Sequence, residues 1–262
     1  MDYQSLCNQV CDIARETGQF IKDERNNARL SIEEKGSNDY VTQVDKASEV
    51  RIIKALSALL PTSGFIAEEG TASKRGAVYN WIIDPIDGTT NFIHGLSPYA
   101  ISIALQEDDQ LVLGVIYEIG LDECFYAYKG SPAYLNGRVV KVSSTQTVKD
   151  SLIATGFPYS NYSRMTGFMA SLQYFMEHSR GLRRLGSAAT DLAYVACGRF
   201  DSFYEYNLKP WDVAAGAFLV QQAGGCVCDF SGGDNYVFGQ EIIASNAATH
   251  NEFKRVVSEI MG

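Results

Sequence analysis

The run Trp81-Ile82-Ile83-Asp84-Pro85-Ile86-Asp87-Gly88-Thr89-Thr90-Asn91-Phe92 sets the tightest limit on what this chain can become. It begins as an apolar strand and finishes in two carboxylates, a glycine and two hydroxyls. A buried strand that delivers Asp84 and Asp87 to one point suits a hard cation, because carboxylate oxygens are the ligands that Mg²⁺ and Ca²⁺ prefer. Pro85 stiffens the chain between the two acids. Gly88 has access to backbone angles closed to other residues. Thr89 and Thr90 are placed to cap a following helix turn, whose N–H groups would face an anion. Carboxylates for a metal beside amides for an oxyanion point to phosphate ester chemistry.

Composition narrows the class further. A length of 262 residues fits one large domain or two intimate subdomains. With 46% hydrophobic and 20% charged residues, the chain has ample material for a core. Its net charge of −9 argues against nucleic acid as a direct partner. The start, Met1-Asp2-Tyr3-Gln4-Ser5, shows no basic segment followed by an apolar core, and no apolar run approaches membrane-spanning length. A cytoplasmic chain without membrane association is therefore expected. The six cysteines do not form a disulfide framework for a chain of this size and read as reduced thiols. Cys226-Val227-Cys228 alternates like a strand and lacks a second metal-binding pair. His94, His178 and His250 stand apart, so neither a zinc site nor a histidine-based triad has candidates.

Periodicity predicts helices from the first turns to about Asn26, over Thr42 to Leu60, Ser163 to His178, Ser187 to Cys197, Trp211 to Ala223 and His250 to Met261. Phe65-Ile66-Ala67 reads as a short buried strand ending in Glu68-Glu69, and Asn80 to Asp84 as the next, so two strands end in acids. From Tyr99 to Val140 the pattern is that of an antiparallel meander, with turns at Asp108-Asp109 and Asn136-Gly137. Short strands are expected at Ser151 to Thr155 and Ile242 to Ala244. The polar stretch from Ser143 to Thr147 suggests a division into residues 1–145, with the Asp84 and Asp87 run, and 146–262, with Asp212.

Three blocks resemble the inositol monophosphatase family, part of a wider superfamily of metal-dependent, lithium-sensitive phosphatases. They are Phe65-Ile66-Ala67-Glu68-Glu69, Asp84 to Phe92, and Trp211-Asp212-Val213-Ala214-Ala215-Gly216 followed by Ala223-Gly224-Gly225. Lys35, Asp45 and Gly186-Ser187-Ala188 support the match. Order and spacing agree from about Lys35 to Gly225, and one departure is Ala67, where the family usually has Gly. Taken singly, Glu68-Glu69 reads as a solvated surface, Asp84 and Asp87 as a cap and a turn, and Trp211-Asp212 as a helix start. Their coincidence in one order, each at a strand end or helix start, favours the site.

The resemblance implies an α/β layered α-β-α-β-α sandwich of the inositol monophosphatase and fructose-1,6-bisphosphatase type, usually a homodimer, that hydrolyses phosphate monoesters with two or three Mg²⁺ ions. Carried over residue by residue, Glu68, Asp84, Asp87, Asp212 and the carbonyl of Ile86 would hold the metals, with Asp84 bridging. Thr89 and Asp45 would position the attacking water, with Glu68 counted among the catalytic groups. Gly88 and Thr89 would cradle the phosphate, and Ser187, Ala188, Glu205 and Asp87 would contact the substrate. Glu69 and Lys35 would support the metal loop. The implied reaction is hydrolysis of myo-inositol monophosphate by direct attack of a metal-activated water. Thr90-Asn91-Phe92, where adenosine bisphosphate and histidinol phosphate phosphatases often carry Lys, favours the inositol or sugar branch. Fructose bisphosphate, NADP and adenosine bisphosphate remain alternatives. So do a dimeric protein that binds the transcription machinery and a phosphate sensor without turnover.

Overall fold

The computed structural model describes residues 1–27, 32–36, 39–72, 74–159 and 161–262. The chain opens with α1 (Tyr3–Asn27), the hairpin β1 (Ile32–Gly36) and β2 (Asp39–Thr42), then α2 (Gln43–Leu59). Next come β3 (Gly64–Ala67), β4 (Tyr79–Asp87) and the short α3 (Thr89–His94). A meander follows in β5 (Ala100–Glu107), β6 (Gln110–Glu118), β7 (Glu123–Tyr128), β8 (Ala133–Leu135) and β9 (Arg138–Val140). The second half runs β10 (Leu152–Thr155), α4 (Met165–His178), β11 (Gly181–Arg183), α5 (Ala188–Ala196) and β12 (Ser202–Tyr206). It closes with α6 (Pro210–Gln222), β13 (Cys226–Cys228), β14 (Glu241–Ser245) and α7 (His250–Met261).

Strands β3 to β9 form a seven-stranded sheet in chain order, parallel between β3 and β4 and antiparallel thereafter. A second, mixed sheet has the order β11-β10-β12-β14-β13. Side-chain alternation dictates what covers each face. On β4, Trp81 and Ile83 pack toward α1 and α2, whereas Ile82 packs toward α5 and α6. On β14, Ile242 and Ala244 join that same middle layer, while Ile243 faces Phe175 and Phe253 of α4 and α7. The result is a five-layer α-β-α-β-α sandwich, the architecture expected from the sequence.

The predicted helices form within a few residues of their expected bounds. Thr42 caps α2 and accepts the amides of Val44 and Asp45, with the Asp45 side chain returning the bond to the Thr42 amide. Both predicted hairpin turns have two consecutive residues at positive φ, Asp108 and Asp109 (47° and 63°) and Asn136 and Gly137 (47° and 81°). One local expectation is corrected. Thr89 and Thr90 are the first residues of α3 rather than its caps; the capping position is Gly88 at φ 95°, a left-handed angle that lets the chain reverse from strand to helix. The sequence pattern does not show the pair β1–β2 or the strands β11 and β12, which are short and weakly patterned. Among the described residues no helix is long and apolar enough to cross a membrane.

The middle layer is built from small residues. Ala189, Ala193 and Ala196 of α5 and Ala214, Ala215 and Ala217 of α6 are fully buried between the sheets. Gly114 on β6 marks a close approach of α6 to the large sheet, since a Cβ there would lie 2.8 Å from the Ala215 carbonyl oxygen. A methyl group at this point must push α6, and with it Asp212, away from the large sheet. The G114A variant is expected to lose about 1–3 kcal/mol of stability, read as a lower midpoint in thermal denaturation.

Candidate active site

The spacing of Asp84 and Asp87 poses a problem that β4 solves with a bulge. Residues three apart on a regular strand point to opposite faces. Here Asp84 pairs with Ser102 and Asp87 with Ala100, so three steps on β4 match two on β5. The extra residue restores the parity and sends both carboxylates to one side. Pro85, with no N–H to leave unpaired, sits inside the irregularity. Ser102 also donates to the Trp211 carbonyl (3.0 Å), which ties β5 to the first turn of α6.

Asp212 occupies the third position of α6 and accepts the Lys209 amide at 2.7 Å. The same geometry aims it at the end of β4. Carboxylate oxygens of Asp84, Asp87 and Asp212 lie within 4.8 Å of one another. Glu68, just beyond β3, sits within hydrogen-bonding reach of Asp84 and acts electrostatically on Asp212. Asp84 accepts the Ile86 amide at 2.9 Å. Asp87 accepts the Ser187 hydroxyl (2.6 Å) and the Ala189 amide (2.7 Å), which locks α5 onto the end of β4. Ser187 is at once the cap of α5, accepting from the Thr190 amide.

Asp45 on α2 is 1% exposed and accepts from the Thr89 hydroxyl at 3.1 Å. That hydroxyl is also 3.0 Å from the Ile86 carbonyl, so its single proton has two acceptors in reach. One turn further along α2, Glu49 is fully buried and accepts the Glu69 amide (2.7 Å), the Thr71 amide (2.8 Å) and the Thr71 hydroxyl (2.6 Å). It holds the loop that carries Glu68. Lys35 falls on β1, and its side chain lies outside the described residues. The site thus draws Glu68, Asp84, Ile86, Asp87, Gly88, Thr89 and Asp45 from the first half of the chain. Ser187, Ala188, Glu205 and Asp212 come from the second half.

Glu68, Asp84, Asp87 and Asp212 border a cavity of about 260 Å³. Glu205 on β12 reaches it, 7% exposed, with the carboxylate lying flat against Gly156; a Cβ at 156 would stand 2.1 Å from it. Arg184 donates to the Tyr159 hydroxyl at 2.9 Å and lies over the rings of Phe157 (5.1 Å) and Tyr159 (5.7 Å). Asp191 of α5 also lines the cavity. The sequence reading passed over Glu49, Gly156, Tyr159, Arg184 and Asp191. Two left a signal: Glu49 is one helical turn from Asp45, and Asp191 is a lone acid in the apolar run Ala188 to Ala196.

The electrostatics are those of anions short of cations. Burial and the neighbouring Glu68, Asp87 and Asp212 push the Asp84 carboxyl well above its ordinary range. Asp212 is raised the same way by burial and Asp87. Asp87 rises to about 6 through burial, against the opposing bonds from Ser187 and Ala189. Glu205 rises to about 8 through burial, which Arg184 only partly offsets. Carboxylate-only donors gathered at this density fit hard divalent ions such as Mg²⁺, which relieve the repulsion.

Fold and site together define a phosphatase of the layered-sandwich class, with acids from β4 and α6 meeting beside a helix start. The chain matches the inositol monophosphatase family over residues 2–261 and belongs to that family. It is 41% identical over 253 residues to a putative Nus factor SuhB of Neisseria meningitidis, covering 96% of this chain and 97% of the relative. It is 37% identical over 261 residues to an inositol-1-monophosphatase of Mesorhizobium japonicum, covering 99% and 98%. The crystal structure of the extragenic suppressor protein suhB from Bartonella henselae superposes with a TM-score of 0.93 at 38% identity, covering 97% of this chain and 99% of that one.

An acid whose pKa is raised in the folded state stabilises the fold below its ordinary pKa and loses that contribution as pH climbs through the raised value. With Asp87 at about 6 and Glu205 at about 8, the metal-free protein should melt at progressively lower temperature from pH 5 to pH 9. Added Mg²⁺ should flatten much of that slope by replacing protons at Asp84, Asp87 and Asp212. Thermal melts across this range, with EDTA or with Mg²⁺, check both.

Proposed function

We propose that this chain is a Mg²⁺-dependent phosphomonoesterase acting on myo-inositol monophosphate. The observation that carries the reading is the meeting of Asp84, Asp87 and Asp212 beside Glu68, with the Asp45–Thr89 pair adjoining. Glu68, Asp84, Asp87, Asp212 and the Ile86 carbonyl would hold two or three Mg²⁺ ions. When bound, Mg²⁺ supplies positive charge to the phosphate oxygens and acidifies the attacking water.

The chain's own residues do the rest. Thr89, donating its proton to Asp45, turns a lone pair toward the nucleophilic water and receives its proton. The amides of Gly88 and Thr89, at the start of α3, bind the phosphate oxygens. Asp87, Ser187, Ala188 and Glu205 contact the alcohol part. Glu205 accepts from ring hydroxyls, and an alcohol lacking them leaves a buried acceptor unpaired. Glu49 keeps the Glu68 loop in register with these groups. Homodimer formation and lithium inhibition go with this reading and with the family.

A second reading is supported by the relative named as a Nus factor: the chain binds the transcription machinery as a dimer, with phosphatase activity secondary. Cells carrying only the D84N variant separate the two, because normal growth with no hydrolysis assigns the main role to binding.

Phosphate release is expected from myo-inositol 1-phosphate in Mg²⁺ and not in EDTA. In a panel with fructose 1,6-bisphosphate, NADP and adenosine bisphosphate, a preference for the last would overturn the substrate assignment. D84N should abolish turnover, by ~10³-fold or more. T89A should lower kcat by ~10²–10⁴-fold with KM little changed, as read in steady-state kinetics.

A further inference from the structure

The cavity wall holds one carboxyl group that the chemistry above leaves unused. Asp191 is the fourth residue of α5, is 1% exposed, and sits in a helix buried along its whole length. Its Oδ1 has no hydrogen-bond partner. Native proteins satisfy nearly all such atoms, and the exceptions call for a reason. The backbone gives Asp191 no freedom to find one. Its amide donates to the Ser187 carbonyl at 2.9 Å, and the Ser187 hydroxyl is fastened to Asp87 at 2.6 Å. The carboxyl is held by the same turn that anchors the metal-binding corner.

Its surroundings define what it can receive. The charges acting on it are Glu205, Asp87 and Arg184, two acids against one base. Arg184 is engaged with Tyr159 and with the Phe157 and Tyr159 rings, and its Nε, itself without a partner, makes no hydrogen bond to Asp191. Beyond the corner of Glu68, Asp84, Asp87 and Asp212, the wall therefore offers two carboxyl groups, Asp191 and Glu205, along one cavity. A hydroxyl is both donor and acceptor, so it pairs with either protonation state of such a group. An ammonium group pairs only with the ionised state, which burial opposes at both residues.

We infer that Asp191 is a specificity-determining residue, which together with Glu205 selects esters whose alcohol carries at least two free hydroxyl groups. The inference rests on the phosphomonoesterase reading. It makes Asp191 a group kept for the ligand rather than for the fold, since the protein alone leaves its Oδ1 unpaired.

The test compares the Mg²⁺-supplied full-length protein with its D191L and D191N variants on three probes: myo-inositol 1-phosphate, phenyl phosphate and phosphoethanolamine. D191L should lower kcat/KM for the inositol ester at least ~10-fold, chiefly through KM, and leave phenyl phosphate within about twofold. D191N, whose amide still bonds a hydroxyl, should recover part of the loss. D191L should also melt about 2–4 °C higher, because an unpaired buried polar group has gone; a residue needed only for folding would melt lower.

An equal loss on inositol and phenyl esters, or no loss on either, overturns the inference. So does a wild-type preference for phosphoethanolamine. Should D191L fail to fold, D191N decides: its inositol-to-phenyl ratio must fall at least ~3-fold, or the inference is wrong. A wild-type protein inactive on every ester fails the phosphomonoesterase reading itself. One active on phenyl phosphate with unchanged ratios in the variants fails the Asp191 inference alone.

Discussion

Like charges crowded into a poorly hydrated corner repel one another, and much of this molecule is arranged to keep them there. Glu68, Asp84, Asp87 and Asp212 come from two elements, β4 and α6, and from the loop after β3. None could stay in place by its own packing. Asp84 is held by the Ile86 amide, Asp87 by Ser187 and Ala189, and Asp212 by the Lys209 amide. Each carboxylate is thus restrained by a donor on one side while another oxygen is left to face its neighbours. The middle helical layer supplies two of these restraints, which explains why it is packed with alanines and pressed against Gly114. Close approach of α5 and α6 to the large sheet is what brings the second half of the chain to the acids of the first.

Helix α2 plays the complementary part from the opposite layer. Asp45 and Glu49 lie one turn apart on a single buried face. The first meets Thr89, and the second binds the loop that carries Glu68. A single rigid rod therefore sets the distance between the hydroxyl proposed to handle the water and a proposed metal ligand. Two buried carboxyls on one helix face are an expensive arrangement for a surface-facing element, and here both are matched by donors.

Sequence alone made the acidic corner legible because strands and helices aim their terminal residues predictably. The apolar run into Asp84, the short strand into Glu68 and the helix opening at Trp211 each pointed to an end. The five-layer order followed from the resemblance, and face alternation on β4 and β14 explains it physically. Less visible was anything that depends on tertiary contact. Glu49 looks like an ordinary helical acid until Glu69 and Thr71 are seen bonded to it. Gly156 has no local signature, as its role is to lie flat beneath Glu205. Thr89 and Thr90 were misread as caps because hydroxyls suit that position, whereas the tight reversal after β4 demanded the left-handed angle that Gly88 provides.

The bulge between Asp84 and Asp87 makes the number of residues there matter as much as their identity. Were the three steps from Asp84 to Asp87 to pair regularly with β5, without the bulge, the strand would stay apolar, yet one of the two acids would swing into the opposite layer among Trp81 and Ile83. The irregular pairing at positions 85 and 86, more than either side chain there, is therefore what keeps the two acids together.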